Sequence, residues 1–180
     1  DLHGLNMKML PDTIGTLMCL KYLDLSFNDI KDLPSSITKL VNLQTLKLSH
    51  CTNLKELPAD IQKMVSLKDL NIKGCKNLTH MPRGFGQLTS LQTLNLSECE
   101  ELSELPANVE KLVSLKHLDL KGCWNLTHMP CGLGQLTSLQ TLTLFVVSEG
   151  PVGSSKNCGG LVELNKLNDL RGKLEIKNLA

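Results

Sequence analysis

Cysteine is the residue type with the greatest capacity for chemistry in this sequence, which contains seven cysteines. Metal sites use close pairs such as Cys-x-x-Cys or ligands that converge from several elements, and the sequence contains no Cys-x-x-Cys. Four cysteines instead recur at intervals of 24 residues, at Cys51, Cys75, Cys99 and Cys123. We interpret these four as buried small apolar side chains that fill one column of a repeat. We expect the remaining three to be free thiols: Cys19, Cys131 and Cys158.

The five histidines do not form a recognisable ligand set or catalytic set. His80 and His128 occupy equivalent positions two repeats apart, roughly 10 Å from each other at the usual spacing of strands, which is too far to share a metal ion. No Ser/His/Asp set is recognisable by its spacing, and no Gly-x-x-x-x-Gly-Lys-Ser/Thr phosphate loop is present. The sequence therefore predicts no catalytic residue, no metal ligand and no cofactor site, and hence no enzyme.

Two kinds of short motif are interpreted as by-products of the repeat. Gly84–Gly86 (Gly-Phe-Gly) and Gly132–Gly134 (Gly-Leu-Gly) lack the further glycine and the strand context of a dinucleotide-binding fingerprint. Asn77, Asn95 and Asn125 begin Asn-x-Ser/Thr sequons, which carry glycans only in secreted proteins. Neither motif predicts a site of its own.

The elements that position these residues follow from an internal repeat. The triplet Leu-x-x-Leu-x-Leu begins at Leu20, Leu43, Leu67, Leu91, Leu115 and Leu139, with a spacing of 23 residues and then of 24. This period is typical of leucine-rich repeats. Alternate side chains of a strand point to opposite faces, so the second and third leucines of each triplet point inward and stack into columns. These columns must form the core, since aromatic residues make up only 3% of the chain.

The rest of each repeat returns the chain to the next strand. A proline recurs once per repeat, at Pro11, Pro34, Pro58, Pro82, Pro106 and Pro130, and proline ends regular pairing because it lacks an N–H donor. Apolar residues then follow at a spacing of three, which indicates a short helical turn. The predicted fold is an α/β leucine-rich-repeat solenoid. It has a curved parallel sheet on the concave face, and short 3-10 or single-turn helices and loops on the convex face.

The chain divides into three segments of one continuous domain. Residues 1–147 hold the regular repeats of 23–24 residues, 148–160 form a glycine- and serine-rich loop, and 161–180 form a short helix and a strand of an irregular further repeat. The chain opens inside a repeat and is interpreted as a fragment of a longer protein. Because terminal coils need polar caps, we predict self-association through the uncapped ends.

The strand face is the surface most suited to bind another protein, because each strand presents outward side chains there. We predict that its binding residues are Tyr22, Asp24, Phe27, Lys47, His50, Asp69, Asn71, Lys73, Thr93, Asn95, Glu98, His117, Asp119, Lys121, Thr141, Thr143 and Phe145. Phe145 and Val146 are apolar at positions that are polar in most coils. Two interpretations stay open: they anchor a partner, or the loop that follows covers them.

Charge and hydropathy exclude two classes of partner. The formal net charge of +1 provides no strong attraction to nucleic acid, and no stretch approaches the roughly 18 consecutive apolar residues of a membrane-spanning helix. Seven reduced cysteines would favour a cytosolic or nuclear compartment.

Three stretches resemble plant nucleotide-binding leucine-rich-repeat disease-resistance proteins. They are LHGLNMKMLPDTIGTLMCLKYLDLSFNDIKDLP from Leu2, LTLFVV from Leu142, and GGLVELNKLNDLRGKLEIKNL from Gly159. The last stretch is similar to the coiled-coil class of that family. The resemblance implies a role in innate immunity, defence and pathogen recognition inside the cell. It also implies that the repeats restrain a nucleotide-binding module.

The resemblance further implies partners for this segment and a cofactor for the parent protein. The partners are the intramolecular nucleotide-binding module, a pathogen effector or a guarded host protein. ADP or ATP would bind only in the module that this sequence lacks. Two other interpretations stay open. One is a stand-alone intracellular scaffold or an array made from such repeats, and the other is an extracellular receptor or inhibitor domain, although the Gly-x-Ile-Pro signature of plant extracellular repeats is missing.

Overall fold

Each of the six leucine triplets contributes one short strand to a parallel sheet in the computed structural model, which describes residues 1–147 and 160–178. The strands are β1 (Tyr22–Asp24), β2 (Thr45–Lys47), β3 (Asp69–Asn71), β4 (Thr93–Asn95), β5 (His117–Asp119), β6 (Thr141–Leu142), β7 (Leu144–Val146) and β8 (Glu175–Lys177). Strands β1 to β6 form one sheet in chain order, and β7 pairs with β8 in a second sheet. Within the first sheet the central leucines pair directly, from Leu23 with Leu46 to Leu118 with Leu142.

The convex side consists of short 3-10 helices. A proline lies one or three residues before each of the first six, whereas the seventh follows Gly160. The helices are Asp12–Thr16, Ser35–Lys39, Ile61–Lys63, Phe85–Gln87, Val109–Lys111, Leu133–Gln135 and Leu161–Lys166. The carbonyl of Pro34, for example, accepts the N–H of Ile37 at 3.0 Å, and Pro82 does the same for Phe85 at 3.0 Å. The predicted fold class, a leucine-rich-repeat solenoid with short 3-10 helices, is confirmed.

The predicted leucine columns form the core between the sheet and the helices. Every second and third leucine of the six triplets is buried, together with Ile72, which replaces one of them. Full burial of one such side chain contributes roughly 1.5–3 kcal/mol before chain entropy is subtracted. Leu17 departs from its column and is 51% exposed, because the first coil is covered by a neighbouring coil on only one side within the described residues.

The cysteine column is buried, as predicted, and it also binds backbone. Each Sγ donates to a carbonyl of the preceding coil at 3.2 Å: Cys51 to Leu25, Cys75 to Leu48, Cys99 to Ile72 and Cys123 to Leu96. Burial raises the pKa of the Cys99 thiol to about 12 and that of Cys123 to about 11. Asn28 occupies the same column in the first full coil and donates to the carbonyl of Leu25 at 2.8 Å.

The three cysteines outside the column do not share one state. Cys19 is an exposed free thiol, as expected. Cys131 is disulfide-bonded, so the expectation of a free thiol there was wrong. The sequence could not reveal this because a disulfide depends on which sulfur atoms the fold brings together. Cys158 lies outside the described residues.

The final coil is held to the regular ones by a carboxylate. The backbone N–H groups of Gly132 and Gly134 donate to the two carboxylate oxygens of Glu163 at 3.0 Å and 2.7 Å. A side chain at Gly134 would collide with the backbone carbonyl of Glu163, and one at Gly86 would collide with that of Asn108. The second glycine of each Gly-x-Gly motif therefore allows close approach between coils. Most of the expected glycine- and serine-rich loop, residues 148–159, lies outside the described residues.

Candidate interaction surface

The outward side chains of the strands, and of the residues that follow each strand, form four rows along the concave face. The row before the central leucines holds Tyr22, Thr45, Asp69, Thr93, His117 and Thr141. The row after them holds Asp24, Lys47, Asn71, Asn95, Asp119 and Thr143. Beyond the third inward residue come Ser26, Ser49, Lys73, Ser97 and Lys121, and then Phe27, His50, Gly74, Glu98 and Gly122. These rows bring together the predicted site residues except Phe145, and most of them are half-buried.

Several side chains of the second row are held by their own backbone. Asp24, Asn71, Asn95 and Asp119 each accept the N–H two residues further on, at 2.9 to 3.1 Å, as in Asx turns. Asp119 also accepts the hydroxyl of Thr143 at 2.8 Å. The carboxylates and carboxamides of this row are therefore oriented by the fold and partly engaged before any partner arrives.

Asp24 is the most enclosed of the predicted site residues that lie on this face. It is 8% exposed, because residues 2–4 pair with the backbone of residues 24–26. Burial opposes ionisation of its carboxyl, but hydrogen bonds from Ser26 and Tyr22 outweigh burial and lower its pKa. Asp24 is thus an ionised structural acceptor with little surface to offer a partner, which corrects its place among the accessible binding residues.

An exposed stack of rings lies at the N-terminal end of the face. Phe27 stands between the imidazoles of His3 and His50, with ring centroids 5.0 Å and 4.6 Å apart. Phe27 is 52% exposed and has a φ of +58°, which is uncommon for a bulky residue. Gly74 comes next in the same row, and a side chain there would collide with the ring of His50.

Two lysines of the face have partners in the fold. Lys47 places its Nζ 5.3 Å from the centroid of the Tyr22 ring, within the range of a cation–π contact. Lys73 forms an ion pair with Glu98 at 3.2 Å. A histidine of the face also has a partner, because His117 makes a hydrogen bond through Nδ1 with the hydroxyl of Thr141 at 3.1 Å.

Phe145 and Val146 are not on this surface, so the inclusion of Phe145 among the binding residues was wrong. Phe145 is 0% exposed and Val146 is 1% exposed. The ladder of the main sheet breaks at Thr143, because Leu120 N–H donates to the Thr143 hydroxyl at 2.8 Å. In earlier coils the equivalent N–H donates to a backbone carbonyl. The chain then pairs with β8 and turns Phe145, opposite Ile176, into the core.

A row of lysines at the edge of the face is absent from the predicted binding residues. Lys21, Lys68 and Lys116 precede strands β1, β3 and β5, and all three are exposed. Their signal was present in the sequence, because lysine and glutamine alternate at this position with the 48-residue period of a pair of coils.

Within the described ranges 1–147 and 160–178, no group of three or more His, Cys, Asp or Glu side chains could hold a metal ion. No helix in the same ranges is long and apolar enough to cross a bilayer. The rows of oriented polar side chains on a rigid sheet are instead typical of a surface that recognises another molecule.

The fold and this surface define a protein-interaction domain of the solenoid class. A family model described as "leucine-rich repeat region" matches residues 1–79 and 59–178, so the chain belongs to the leucine-rich-repeat family. Domains of this family typically act as non-catalytic scaffolds that bind proteins.

Two curated relatives match one quarter of the chain. A putative disease resistance protein of Arabidopsis thaliana is 51% identical over 45 residues, which are 25% of this chain and 3% of that protein. The TMV resistance protein N of Nicotiana glutinosa is 53% identical over 45 residues, 25% of this chain and 4% of that protein. The similarity to each relative therefore spans only a small part of its length.

Solved structures with the same architecture match almost the whole chain. A plant peptide hormone receptor in complex with its peptide is 26% identical with a TM-score of 0.76, covering 99% of this chain and 28% of the receptor chain. A leucine-rich-repeat protein of Leptospira interrogans is 27% identical with a TM-score of 0.57, covering 99% of this chain and 55% of that protein. Both comparisons support the fold, and the first shows similarity to a receptor that binds a peptide.

Proposed function

We propose that this chain is a regulatory and recognition segment of a plant nucleotide-binding leucine-rich-repeat resistance protein of the coiled-coil class, acting in the cytoplasm or nucleus. The observation that carries the proposal is the identity of 51% and 53% to two plant resistance proteins over 45 residues. The three sequence stretches from Leu2, Leu142 and Gly159 support it. The repeats would bind the nucleotide-binding module of the parent, a pathogen effector or a guarded host protein.

The mechanism needs no chemistry from this chain. A solenoid buries each coil against its neighbours, so the strand face keeps its shape when a partner arrives. Binding then changes the relative stability of the parent's conformations only through differential contact with them. ADP or ATP would bind in the nucleotide-binding module of the parent and contact no residue of this chain.

The test is binding to the nucleotide-binding module encoded in the same transcript. The module and this chain are expressed as separate polypeptides, and association is measured by calorimetry. Substitution of Asn71, Asn95 and Lys121 by alanine should weaken association by about tenfold, as for a few contributing residues of an interface. The matched control substitutes Lys39, Lys63 and Lys111 on the convex helices and should change it less than about twofold. Absence of any association with the module would overturn the proposal.

An extracellular receptor domain is the second candidate, because two observations favour it. Cys131 is disulfide-bonded, and disulfides persist mainly in oxidising compartments. The similar receptor structure, with a TM-score of 0.76, belongs to a receptor for a peptide hormone. Asn77 is exposed. Its glycosylation in the native host would favour this candidate over the first. A third candidate, a stand-alone scaffold or repeat array, predicts a start codon close to Asp1.

A further inference from the structure

Three lysines form a regular row at the edge of the strand face. Lys21, Lys68 and Lys116 each lie two residues before an inward leucine of the sheet. Successive members are two coils apart, which corresponds to roughly 10 Å at the usual spacing of strands. We call Lys21, Lys68 and Lys116 the lysine row.

The backbone of the row is fixed by the sheet. The backbone carbonyl of each lysine accepts the N–H groups of two consecutive residues in the following coil, at 2.7 to 3.0 Å. For Lys21 these donors are Gln44 and Thr45 at 2.8 Å and 3.0 Å. The positions from which the three side chains project are therefore set by hydrogen bonds, and only the flexible stems remain to be ordered by a ligand.

No ion pair with another described residue neutralises the charges of the row. All three side chains belong to exposed residues, and none forms an ion pair with any residue of the described ranges. On the same face Asp24 and Asp119 accept hydrogen bonds from their own backbone, and Glu98 pairs with Lys73. Of the acids among the predicted site residues, only Asp69 lacks such a contact.

The residues between the lysines offer a different chemistry. Gln44 and Gln92 occupy the same position in the intervening coils and are half-buried. A carboxamide both donates and accepts hydrogen bonds, so it can bind the N–H and carbonyl groups of a peptide backbone. A phosphate backbone offers acceptors only, so this alternation favours a peptide over a nucleic acid.

We propose that the lysine row binds an acidic protein segment in the polyproline-II conformation, with carboxylates at every third residue. Three residues of this helix complete one turn and rise roughly 9 Å, so the carboxylates lie on one side of the segment and match the spacing of the lysines. The three lysines pair with the carboxylates, and the intervening glutamines contact the backbone of the segment. The inference rests on the proposed function to the extent that both assign protein binding to the strand face.

The test uses a labelled peptide of about nine residues with glutamate at every third position, and its affinity for the whole chain is measured by fluorescence anisotropy. The variant replaces the row with glutamine (Lys21→Gln, Lys68→Gln and Lys116→Gln), the residue that other coils carry at this position, and circular dichroism verifies its folding. The charge-matched control carries Lys39→Gln, Lys63→Gln and Lys111→Gln on the convex helices.

The expected result is a loss of affinity on the order of tenfold for the row variant, the combined effect of three exposed ion pairs, and less than about twofold for the control. Binding should also weaken as salt rises from about 0.05 M to about 0.5 M. Equal losses in both variants, or no binding of the glutamate peptide to the unaltered chain, would overturn the inference. So would tighter binding of a single-stranded oligonucleotide that depends on the same three lysines.

The two proposals fail separately in these experiments. A chain that binds the parent module but not the glutamate peptide retains the proposed function and loses the inference about the lysine row. A chain that binds the glutamate peptide through the row, but comes from a transcript without a nucleotide-binding module, retains the inference and loses the proposed function.

Discussion

Truncation of Phe145 should destabilise the protein far more than truncation of Phe27. Phe145, within β7, is 0% exposed, whereas Phe27, which follows β1, is 52% exposed. Removal of a buried phenylalanine leaves a cavity and costs about 3–5 kcal/mol. Loss of the Phe27 ring removes a partly exposed stack with His3 and His50, and costs about 1 kcal/mol.

The assay is urea unfolding followed by far-ultraviolet circular dichroism for the unaltered chain, Phe145→Ala and Phe27→Ala. With a slope of about 2 kcal/mol per molar urea, a loss of about 4 kcal/mol lowers the midpoint by about 2 M. The expected shift for Phe27→Ala is about 0.5 M or less on the same basis. An equal slope in all three proteins verifies that the same structure unfolds. A midpoint shift for Phe145→Ala that is no larger than that for Phe27→Ala would refute the placement of Phe145 in the core.

Three further predictions concern contacts between coils. Glu163→Ala removes the carboxylate that accepts the N–H groups of Gly132 and Gly134, so the free energy of unfolding should fall by about 1–3 kcal/mol. Hydrogen exchange of the Gly134 amide should accelerate, and an unchanged exchange rate would contradict this contact. Gly74→Ala places a side chain at a φ of +69°, so urea unfolding should show a loss of about 1–2 kcal/mol. Burial raises the pKa of Cys99 to about 12, so its stabilising contribution is complete below the unfolded thiol pKa of about 8.5. It should decline as pH rises toward 12, and a thiol reagent at pH 8 should label Cys19 but not Cys99.

The regular coils could be predicted because their period determines their register. Equal spacing of the leucine triplets places Leu46 beside Leu70 and Leu94 beside Leu118, and a slip of one residue would turn every leucine toward solvent. The burial of the cysteine column follows from the same spacing. Each inward side chain packs against the equivalent side chains of the adjacent coils, so the spacing along the sequence also determines the tertiary contacts.

The final coil could not be predicted in the same way, because its contacts depend on residues outside the period. Phe145 faces the core only because β7 pairs with β8, about thirty residues further along the chain. The interaction of Glu163 with Gly132 and Gly134 also joins distant residues. The lysine row had a signal in the sequence, but unpaired exposed charge becomes evident only when the neighbours of each lysine are known.

The ring stack at Phe27 also lay beyond the sequence pattern. The triplets indicate which residues follow a strand but not that Phe27 and His50 adopt φ values of +58°, which place their rings in one row. Backbone in this region costs roughly 1–2 kcal/mol for a residue other than glycine. Positive φ also occurs at Gly74, Glu98 and Gly122, the equivalent positions of the other coils, so this conformation belongs to the turn of the repeat.

The most direct test of the proposed function is the sequence of the transcript upstream of the codon for Asp1. The proposed function predicts one continuous reading frame that encodes a nucleotide-binding module with a Gly-x-x-x-x-Gly-Lys-Ser/Thr loop, followed by the leucine-rich repeats. A signal peptide in that frame, or a start codon close to Asp1, would contradict it. The chain would then be an extracellular receptor domain or a stand-alone scaffold.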